Sequence, residues 1–197
     1  ANIPIDLIVL AVLLRLLTFE RPADGGDVPD LPGVLLMVGA VAGFILGIVL
    51  LTVFFSDVLD RQRNPNRDPY STVQAGSVEV RLDRNRYGHY LASGTINSRP
   101  VEFLVDTGAT DVVVPADTAQ RLGLVRGRQG IARTANGNVT IWATNIARLT
   151  LGDIELTNVA ASINPGMRDQ EILLGMSAIR RVELLQRGDT LTLRQFQ

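Results

Sequence analysis

The longest apolar stretch of the chain covers residues 33–55, where 23 consecutive positions carry no charged side chain. A helix needs about 20 such residues to cross the hydrocarbon core of a bilayer, and a soluble helix of this length normally keeps a polar face. The pattern therefore predicts a membrane-spanning helix over residues 33–55. Residues 3–19 are also apolar, although Asp6 and Arg15 interrupt them, and they lack the basic start of a signal peptide. We interpret them as a first membrane helix, so that residues 1–55 form a predicted membrane anchor.

Beyond the anchor the pattern becomes polar and then changes to short alternating runs. Residues 56–77 contain an Asn-Pro-Asn cluster at 64–66, which opposes regular structure, and we predict a flexible tether there. From residue 78 onward, short apolar runs alternate with turn signals such as Asn-Gly and Gly-Asp, which is typical of hairpins. Residues 116–122 and 177–182 have the character of short helices. The pattern predicts an all-β barrel or sandwich with one or two short helices over residues 78–197.

Composition removes several classes of chemistry. The chain carries 19 basic and 20 acidic residues, so no overall field favours nucleic acid, and we expect no nucleic-acid partner. It contains no cysteine and a single histidine, His89, which excludes disulfides, thiolate zinc sites and histidine-rich metal sites. We therefore expect neither a metal nor another cofactor. Carboxylate chemistry is what remains for an enzyme of this composition.

One stretch combines strand-forming residues with a carboxylate at a bend. The apolar residues 103–105 lead into Asp106, Thr107 and Gly108, and a second apolar run follows at 112–114. The glycine allows the backbone to turn tightly. A carboxylate at such a strand end is costly to bury unless it is hydrogen-bonded or paired. Asp106 is therefore either a turn cap or the centre of a functional site.

The segment Phe-Leu-Val-Asp-Thr-Gly-Ala-Thr at 103–110 resembles the active-site signature of the retropepsin-like aspartic proteases. Two further features follow in the order found in that family. A glycine-tipped hairpin is predicted around 135–138, and an Ile-Leu-Leu-Gly segment at 172–175 precedes a short helix. The resemblance covers about residues 78–195 and implies a retropepsin-like acid-protease β-barrel. Members with tethered catalytic domains are known in bacteria, so the resemblance also implies a bacterial inner-membrane location.

The resemblance implies roles for individual residues of the Asp-Thr-Gly turn. Asp106 would be the catalytic carboxylate, Thr107 would hold the loop through bonds to a partner's backbone, and Gly108 would face the substrate. Ala109 and Asp111 would border the substrate cleft. Together these five residues constitute the expected catalytic loop.

The glycine-tipped hairpin corresponds to the flap of these enzymes, so Asn136 and Gly137 are expected to contact substrate. The chain departs from retroviral members at residues 176–177, which are Met-Ser where those enzymes usually carry an arginine. Arg180 or Arg181 could replace that arginine in bracing a dimer.

The chemistry of such a site requires a second carboxylate. Peptide hydrolysis without a metal or a nucleophilic side chain needs one group to activate water and another to protonate the carbonyl oxygen. Two adjacent carboxylates meet this need by sharing one proton. The chain contains one Asp-Thr-Gly and no visible internal repeat. We therefore expect the second carboxylate from another copy of the chain, in a two-fold homodimer.

The sequence thus predicts a membrane-anchored aspartic endopeptidase that acts on a peptide or protein substrate. The alternatives are a non-catalytic peptide-binding or dimerisation module on the same barrel and a membrane scaffold. The arginines at 61, 63 and 67 follow the predicted span, and by the positive-inside tendency they favour a cytoplasmic domain. Similarity to tethered bacterial relatives favours the periplasm, which we adopt as the expectation.

Overall fold

The computed structural model describes residues 31–134 and 137–196, and it begins with one long helix. This helix, α1 (Leu31–Arg63), extends beyond the predicted span of 33–55 at both ends. The stretch Pro32–Arg63 is long and apolar enough to cross a membrane. The basic residues Arg61 and Arg63 occupy its last turn, where they interact favourably with the helix dipole. The membrane helix predicted at 3–19 lies outside the described residues.

The chain divides into two compact units after Val53, and the second unit contains every described strand. Its first part contains the strands β1 (Tyr70–Gln74), β2 (Ser77–Asp83), β3 (Leu91–Ile96), β4 (Arg99–Val105) and β5 (Val112–Pro115), then helix α2 (Ala116–Leu122). Its second part contains β6 (Gln129–Thr134), β7 (Gly137–Leu151), β8 (Ile154–Asn164), β9 (Ile172–Leu174), helix α3 (Met176–Ile179), β10 (Glu183–Arg187) and β11 (Thr190–Phe196). The all-β class predicted from the sequence is confirmed.

The larger sheet closes on itself. Its strand order is β3-β4-β9-β5-β8-β7-β6, and β3 also pairs with β7 at Thr95 and Thr150. Six strands therefore form a ring, while β6 lies outside it and pairs only with the first part of β7. A second sheet, β1-β2-β11-β10, completes the domain. Closing the ring removes most of the free strand edges that an open sheet would expose.

The core lies between the two sheets, and the alternation of side chains along the strands creates it. In β2 the side chains of Val78, Val80 and Leu82 are buried, while the residues between them are not. Their neighbours on β11 follow the same period, because Leu191 lies opposite Leu82 and Leu193 opposite Val80. These residues belong to the same buried cluster as the apolar side chains of the larger sheet. The largest fully buried side chain of this cluster is Phe103 on β4. The period-two pattern read from the sequence therefore gives the inward face directly.

The segment 56–77, predicted as a flexible tether, is built into the domain in the structure. Helix α1 continues through the first part of it, and β1 forms near its end and pairs with β2. Between these elements, Asn64 and Asn66 are only 2% and 5% exposed. A proline-flanked polar cluster is normally a solvated linker, but here two side-chain amides are buried and hydrogen-bonded.

The side chain of Asn66 bonds to the backbone of both β2 and β3 and so bridges the two strands. Its Oδ1 accepts the N–H of Asp83 at 2.7 Å, and its Nδ2 donates to the carbonyl oxygens of Asp83 at 2.9 Å and Leu91 at 2.7 Å. Its own carbonyl oxygen accepts the N–H of Ser93 at 2.9 Å. The side chain of Asn64 in turn accepts the N–H of Asn66 at 3.0 Å. These bonds fasten the residues after α1 to the start of β3 and the end of β2.

A cluster of charged and polar side chains also links the end of α1 to β4, the strand that leads into the Asp-Thr-Gly turn, and to the start of β9. Asn64 Nδ2 donates to Glu102 on β4 at 2.9 Å, and Arg63 lies 3.4 Å from the same carboxylate. Arg63 also forms an ion pair with Glu171, the residue directly before β9. Because β4 and β9 pair in parallel from Phe103 and Ile172 onward, the cluster lies where the pairing of these two strands begins.

Candidate active site

Asp106 lies at the exit of β4, in the tight turn that the sequence predicts. Its backbone N–H donates to the carbonyl oxygen of Leu174 at 3.1 Å, which extends the pairing of β4 with β9 by one residue. Its carboxylate oxygen Oδ1 accepts the backbone N–H of Gly108 at 2.9 Å, and its carbonyl oxygen accepts the N–H of Ala109 at 3.3 Å. The side chain is half-buried, and the hydrogen bond from the Gly108 N–H fixes the orientation of its carboxylate.

The residues after β9 hold the other side of this loop. The N–H of Met176 donates to the carbonyl oxygen of Ala109 at 2.8 Å, and the N–H of Ser177 donates to that of Thr110 at 2.9 Å. The end of the Ile-Leu-Leu-Gly segment and the two residues after it therefore lie against the turn. Two backbone segments distant in sequence, joined by several hydrogen bonds, form a rigid support for Asp106.

Ser177, one of the two residues that differ from the retroviral pattern, holds the strands behind the catalytic loop together. Its side chain is buried, its Oγ accepts the N–H of Val112 at 2.9 Å, and its hydroxyl donates to the carbonyl oxygen of Ala160 at 2.7 Å. One hydroxyl thereby joins the start of β5 to β8 directly behind the loop. The one sequence feature that indicates this role is a serine in the first turn of α3, directly after Gly175 and Met176.

The loop opens into a cleft of about 630 Å³. Of the five residues expected in the catalytic loop, Asp106, Gly108, Ala109 and Asp111 line this cleft. Thr107 does not line it, and its side chain is exposed. The other lining residues come from the strands around the loop and from the hairpin strand β6: Thr110, Val113, Ile131, Ala132, Arg133, Thr134, Ile141, Ser162, Asn164 and Leu173.

The hairpin predicted as the flap is formed by β6 and β7. Thr134 pairs with Gly137, and Thr134 Oγ1 donates to the carbonyl oxygen of Gly137 at 2.9 Å. Gly137 has φ +109°, a conformation that side-chain-bearing residues rarely adopt. Asn136 lies outside the described residues. In the described part of the hairpin, the strand β6 contacts the cleft, whereas Gly137 is exposed and is not among the lining residues.

The two candidate bracing arginines differ in their surroundings. Arg181 Nη1 donates to the carbonyl oxygen of Thr157 at 2.7 Å, so its guanidinium is held by β8 of the same chain. Arg180 is exposed at the end of α3. Within residues 31–134 and 137–196, no group of three histidine or carboxylate side chains is placed to hold a metal ion.

Comparisons with known proteins agree with this geometry. Residues 92–181 match a family described as gag-polyprotein putative aspartyl protease. An uncharacterized protein in the cobV 5' region of Sinorhizobium sp is 30% identical over 134 residues, which cover 66% of this chain and 58% of that protein. The uncharacterized protein RP867 of Rickettsia prowazekii is 30% identical over 106 residues, or 52% of this chain and 45% of that protein. The chain thus spans about half the length of these curated relatives.

A solved structure, that of a retropepsin-like aspartic protease from Rickettsia conorii, resembles this fold with a TM-score of 0.52 and 28% sequence identity. The match covers 64% of this chain and 94% of that one. The family match includes the Asp-Thr-Gly turn, the hairpin and the Ile-Leu-Leu-Gly segment. The β-domain of this chain therefore has the fold of the retropepsin-like aspartic proteases and is similar to them in sequence over residues 92–181.

Proposed function

We propose that this chain is an aspartic endopeptidase in which Asp106 is the catalytic carboxylate. The observation that carries the proposal is the position of Asp106, half-buried at the wall of a peptide-sized cleft and oriented by the Gly108 N–H at 2.9 Å. A carboxylate that only capped a turn would have no need of a cleft. The substrate is a peptide or protein segment that binds between the loop and the hairpin.

The chemistry uses two Asp106 side chains, one from each subunit of a homodimer. The ionised carboxylate removes a proton from a water molecule, and the water oxygen attacks the carbonyl carbon of the peptide bond. The protonated carboxyl gives its proton to the carbonyl oxygen, which yields a neutral tetrahedral intermediate. When this collapses, one hydroxyl of the intermediate gives its proton to the ionised carboxylate, the C–N bond breaks, and the amine leaves with the proton of the other carboxyl. The two carboxylates hold one proton between them at the start and at the end of each cycle.

The surroundings of Thr107 support the dimer. Its side chain is exposed, and it forms no hydrogen bond with the described residues of its own chain. A threonine that bonds to the backbone of a second subunit must be exposed and unpaired in a single chain. The single Asp-Thr-Gly in the sequence requires the same second subunit.

The helix α1 supports attachment to a membrane. Its apolar side chains are exposed from Val34 to Phe55, which suits contact with lipid. We place this anchor in a bacterial inner membrane, with the catalytic domain in the periplasm. A protease added outside intact spheroplasts should then digest the β-domain, whereas protection of the domain would place it in the cytoplasm.

The test of function compares Asp106→Asn with Asp153→Asn, a matched change in the exposed turn between β7 and β8. Full-length protein in lipid vesicles is incubated with a peptide library at acidic pH, and products are identified by mass spectrometry. Asp106→Asn should reduce cleavage by about 10²–10⁴-fold and leave the melting temperature nearly unchanged, because one of two proton-transfer groups is lost. Asp153→Asn should cleave like the wild type. Equal cleavage by Asp106→Asn would contradict the proposal, and peptide binding without cleavage by the wild type would favour a binding module.

A further inference from the structure

The cleft contains hydrogen-bond donors that the catalytic proposal does not use. Arg133, Ser162 and Asn164 all line it. Ser162 and Asn164 are only 4% and 8% exposed, yet neither the Ser162 hydroxyl nor the Asn164 Nδ2 has a partner among the described residues. Both atoms keep access to the solvent of the cleft, because Tyr90 Oη is the one fully buried side-chain atom of the described residues that lacks a partner. Donors on a cleft wall that have no partner in the protein are available to bond to a ligand.

The position of Ser162 follows from the register of three neighbouring strands. Val113 on β5 lies beside Leu173 of β9 on one side and beside Ser162 of β8 on the other. All three side chains line the cleft, so they form a row that is apolar except for the hydroxyl at its end. Asn164 lies two residues further along β8 and therefore on the same face. The polar end of the row continues from Ser162 to Asn164.

The orientation of the Asn164 amide is fixed by its own turn. Its Oδ1 accepts the backbone N–H of Gly166 at 2.8 Å, which only the oxygen end of the amide can do. The Nδ2 is therefore the end that remains for another molecule. The wall formed by β8 thus offers two donors, an amide N–H and a hydroxyl, to a bound peptide.

The hairpin strand adds a positive charge to the same cleft. Arg133 on β6 lines the cleft and forms no ion pair with the described residues. The charged residues that line the cleft are Asp106, Asp111 and Arg133. The two carboxylates belong to the catalytic loop, so Arg133 is the cleft's cation within the described chain. A guanidinium with two further donors is complementary to a carboxylate and repels a basic side chain.

We propose that Arg133, Ser162 and Asn164 form a subsite that selects an aspartate or glutamate side chain in the substrate. The inference rests on the proposed function, because it uses the same cleft for the same peptide. An acidic side chain at one position is a property of the substrate that neither the fold nor the Asp-Thr-Gly motif determines. Asp111 suits the opposite chemistry, a basic or hydroxyl-bearing side chain, at another position of the peptide.

The experiment measures kcat/KM for peptides that differ only by Glu, Gln or Lys at one position, scanned across the scissile bond. The wild type should favour Glu over Gln by about tenfold at one position, as one charge-assisted hydrogen bond would give. Arg133→Gln should reduce this ratio to about one, and Arg133→Glu should make Lys the preferred residue. Arg128→Gln, a matched change just before β6 and outside the cleft lining, should keep the wild-type ratio.

Two further readouts separate recognition from a structural effect. Asn164→Asp keeps the acceptor for the Gly166 N–H but removes the amide donor, so the Glu preference should fall while the turn persists. The preference should also fade as the pH falls below about 4.3, where a substrate glutamate becomes protonated. The glutamine side chain does not titrate, so the ratio of the two peptides isolates the protonation of the substrate glutamate from the pH dependence of the enzyme. A Glu preference that persists undiminished at low pH would contradict recognition of the carboxylate.

The outcomes distinguish this inference from the proposed function. If neutral peptides are cleaved and the Glu to Gln ratio is one, or is unchanged by Arg133→Gln, the subsite is wrong and the protease stands. If no peptide is cleaved, the proposed function fails. The subsite is then tested by the binding of fluorescent Glu and Gln peptides to Asp106→Asn, for which equal affinities would overturn it.

Discussion

Gly175 lies directly against the carbonyl oxygen of Asp111. A Cβ atom built on Gly175 would come within 2.1 Å of that oxygen and within 2.7 Å of the carbonyl oxygen of Ala109. No side chain can occupy this space, because the loop cannot retreat from the two N–H groups that bond to it at 2.8 and 2.9 Å. The glycine of the Ile-Leu-Leu-Gly segment is therefore a condition for the loop that presents Asp106.

Gly175→Ala should destabilise the protein and impair cleavage together. Overpacking against backbone costs about 1–3 kcal/mol, and here the displaced atoms belong to the catalytic loop. Urea denaturation and peptide cleavage measure the two effects. Gly130→Ala is the stability control, because its Cβ would meet only Ile141 Cγ1 at 3.9 Å. Wild-type stability and cleavage in Gly175→Ala would contradict the close approach.

Asn66→Ala should lower the free energy of unfolding by about 2–4 kcal/mol. The substitution leaves the N–H and carbonyl oxygen of Asp83 and the carbonyl oxygen of Leu91 without their partners. Asn145 is a suitable control, because it is exposed and its side chain forms no hydrogen bond with the described residues. Equal stability of Asn66→Ala and Asn145→Ala would show that the residues after α1 are a tether after all.

The ion pair between Glu171 and Arg63 should make stability depend on pH. Burial raises the pKa of the Glu171 carboxyl, but the hydrogen bond and charge of Arg63, with a backbone hydrogen bond, outweigh burial and hold the pKa below its ordinary value. A lowered folded-state pKa means that this stabilisation is present above the unfolded pKa of about 4.3 and is lost as the pH falls through the folded value. The Arg63 side chain is half exposed, so the gain is about 0.5–1 kcal/mol.

Glu171→Gln should therefore be less stable than the wild type at pH 7, and the difference should shrink towards zero near pH 3. Urea denaturation at the two pH values measures it. A difference of the same size at both would mean that Glu171 contributes through packing and not through its charge.

Gly137→Val should impair cleavage more than it lowers the melting temperature. The backbone at Gly137 has φ +109°, which a β-branched residue tolerates poorly, although a Cβ there would meet nothing within 4 Å. The strain should distort the hairpin that covers the cleft. Gly76→Val is the matched control, because Gly76 also has positive φ, +85°, and open surroundings, but lies in the turn between β1 and β2. Equal cleavage by the two variants would remove the hairpin from the mechanism.

The sequence predicts much of this fold because several elements carry their own signals. Residues 116–122 form α2 as predicted, ended by Gly123 in a left-handed conformation with φ +71°. The strands on either side of the predicted Asn-Gly turn, β6 and β7, pair as a hairpin, and the alternation in β2 gives its buried face. The order of the Asp-Thr-Gly turn, the hairpin and the Ile-Leu-Leu-Gly segment is also visible in the sequence, and the structure brings Gly175 against the loop that follows the turn. Each of these features depends on local chemistry.

The differences arise where tertiary pairing decides. The short apolar runs of the sequence do not show that β7 is one strand of 15 residues, because its length comes from pairing: its first part pairs with β6 and its last part with β3. The Asn-Pro-Asn cluster at 64–66 has the composition of a linker, and no local signal shows that the Asn66 amide bonds to distant strands. The sequence does not indicate the cleft donors Ser162 and Asn164 either, because neither residue belongs to a recognisable motif.

The central claim is that one active site takes Asp106 from each of two copies of the chain, and subunit mixing tests it most directly. Wild-type protein is exchanged with an equal amount of Asp106→Asn in detergent, at a fixed wild-type concentration well above the dimer dissociation constant. Random pairing leaves half of the wild-type chains in mixed dimers that hold a single intact Asp106, so cleavage per wild-type chain should fall to about one half. A larger excess of Asp106→Asn should lower it further, and Asp153→Asn should not lower it at all. Cleavage that stays constant per wild-type chain would contradict the shared dyad.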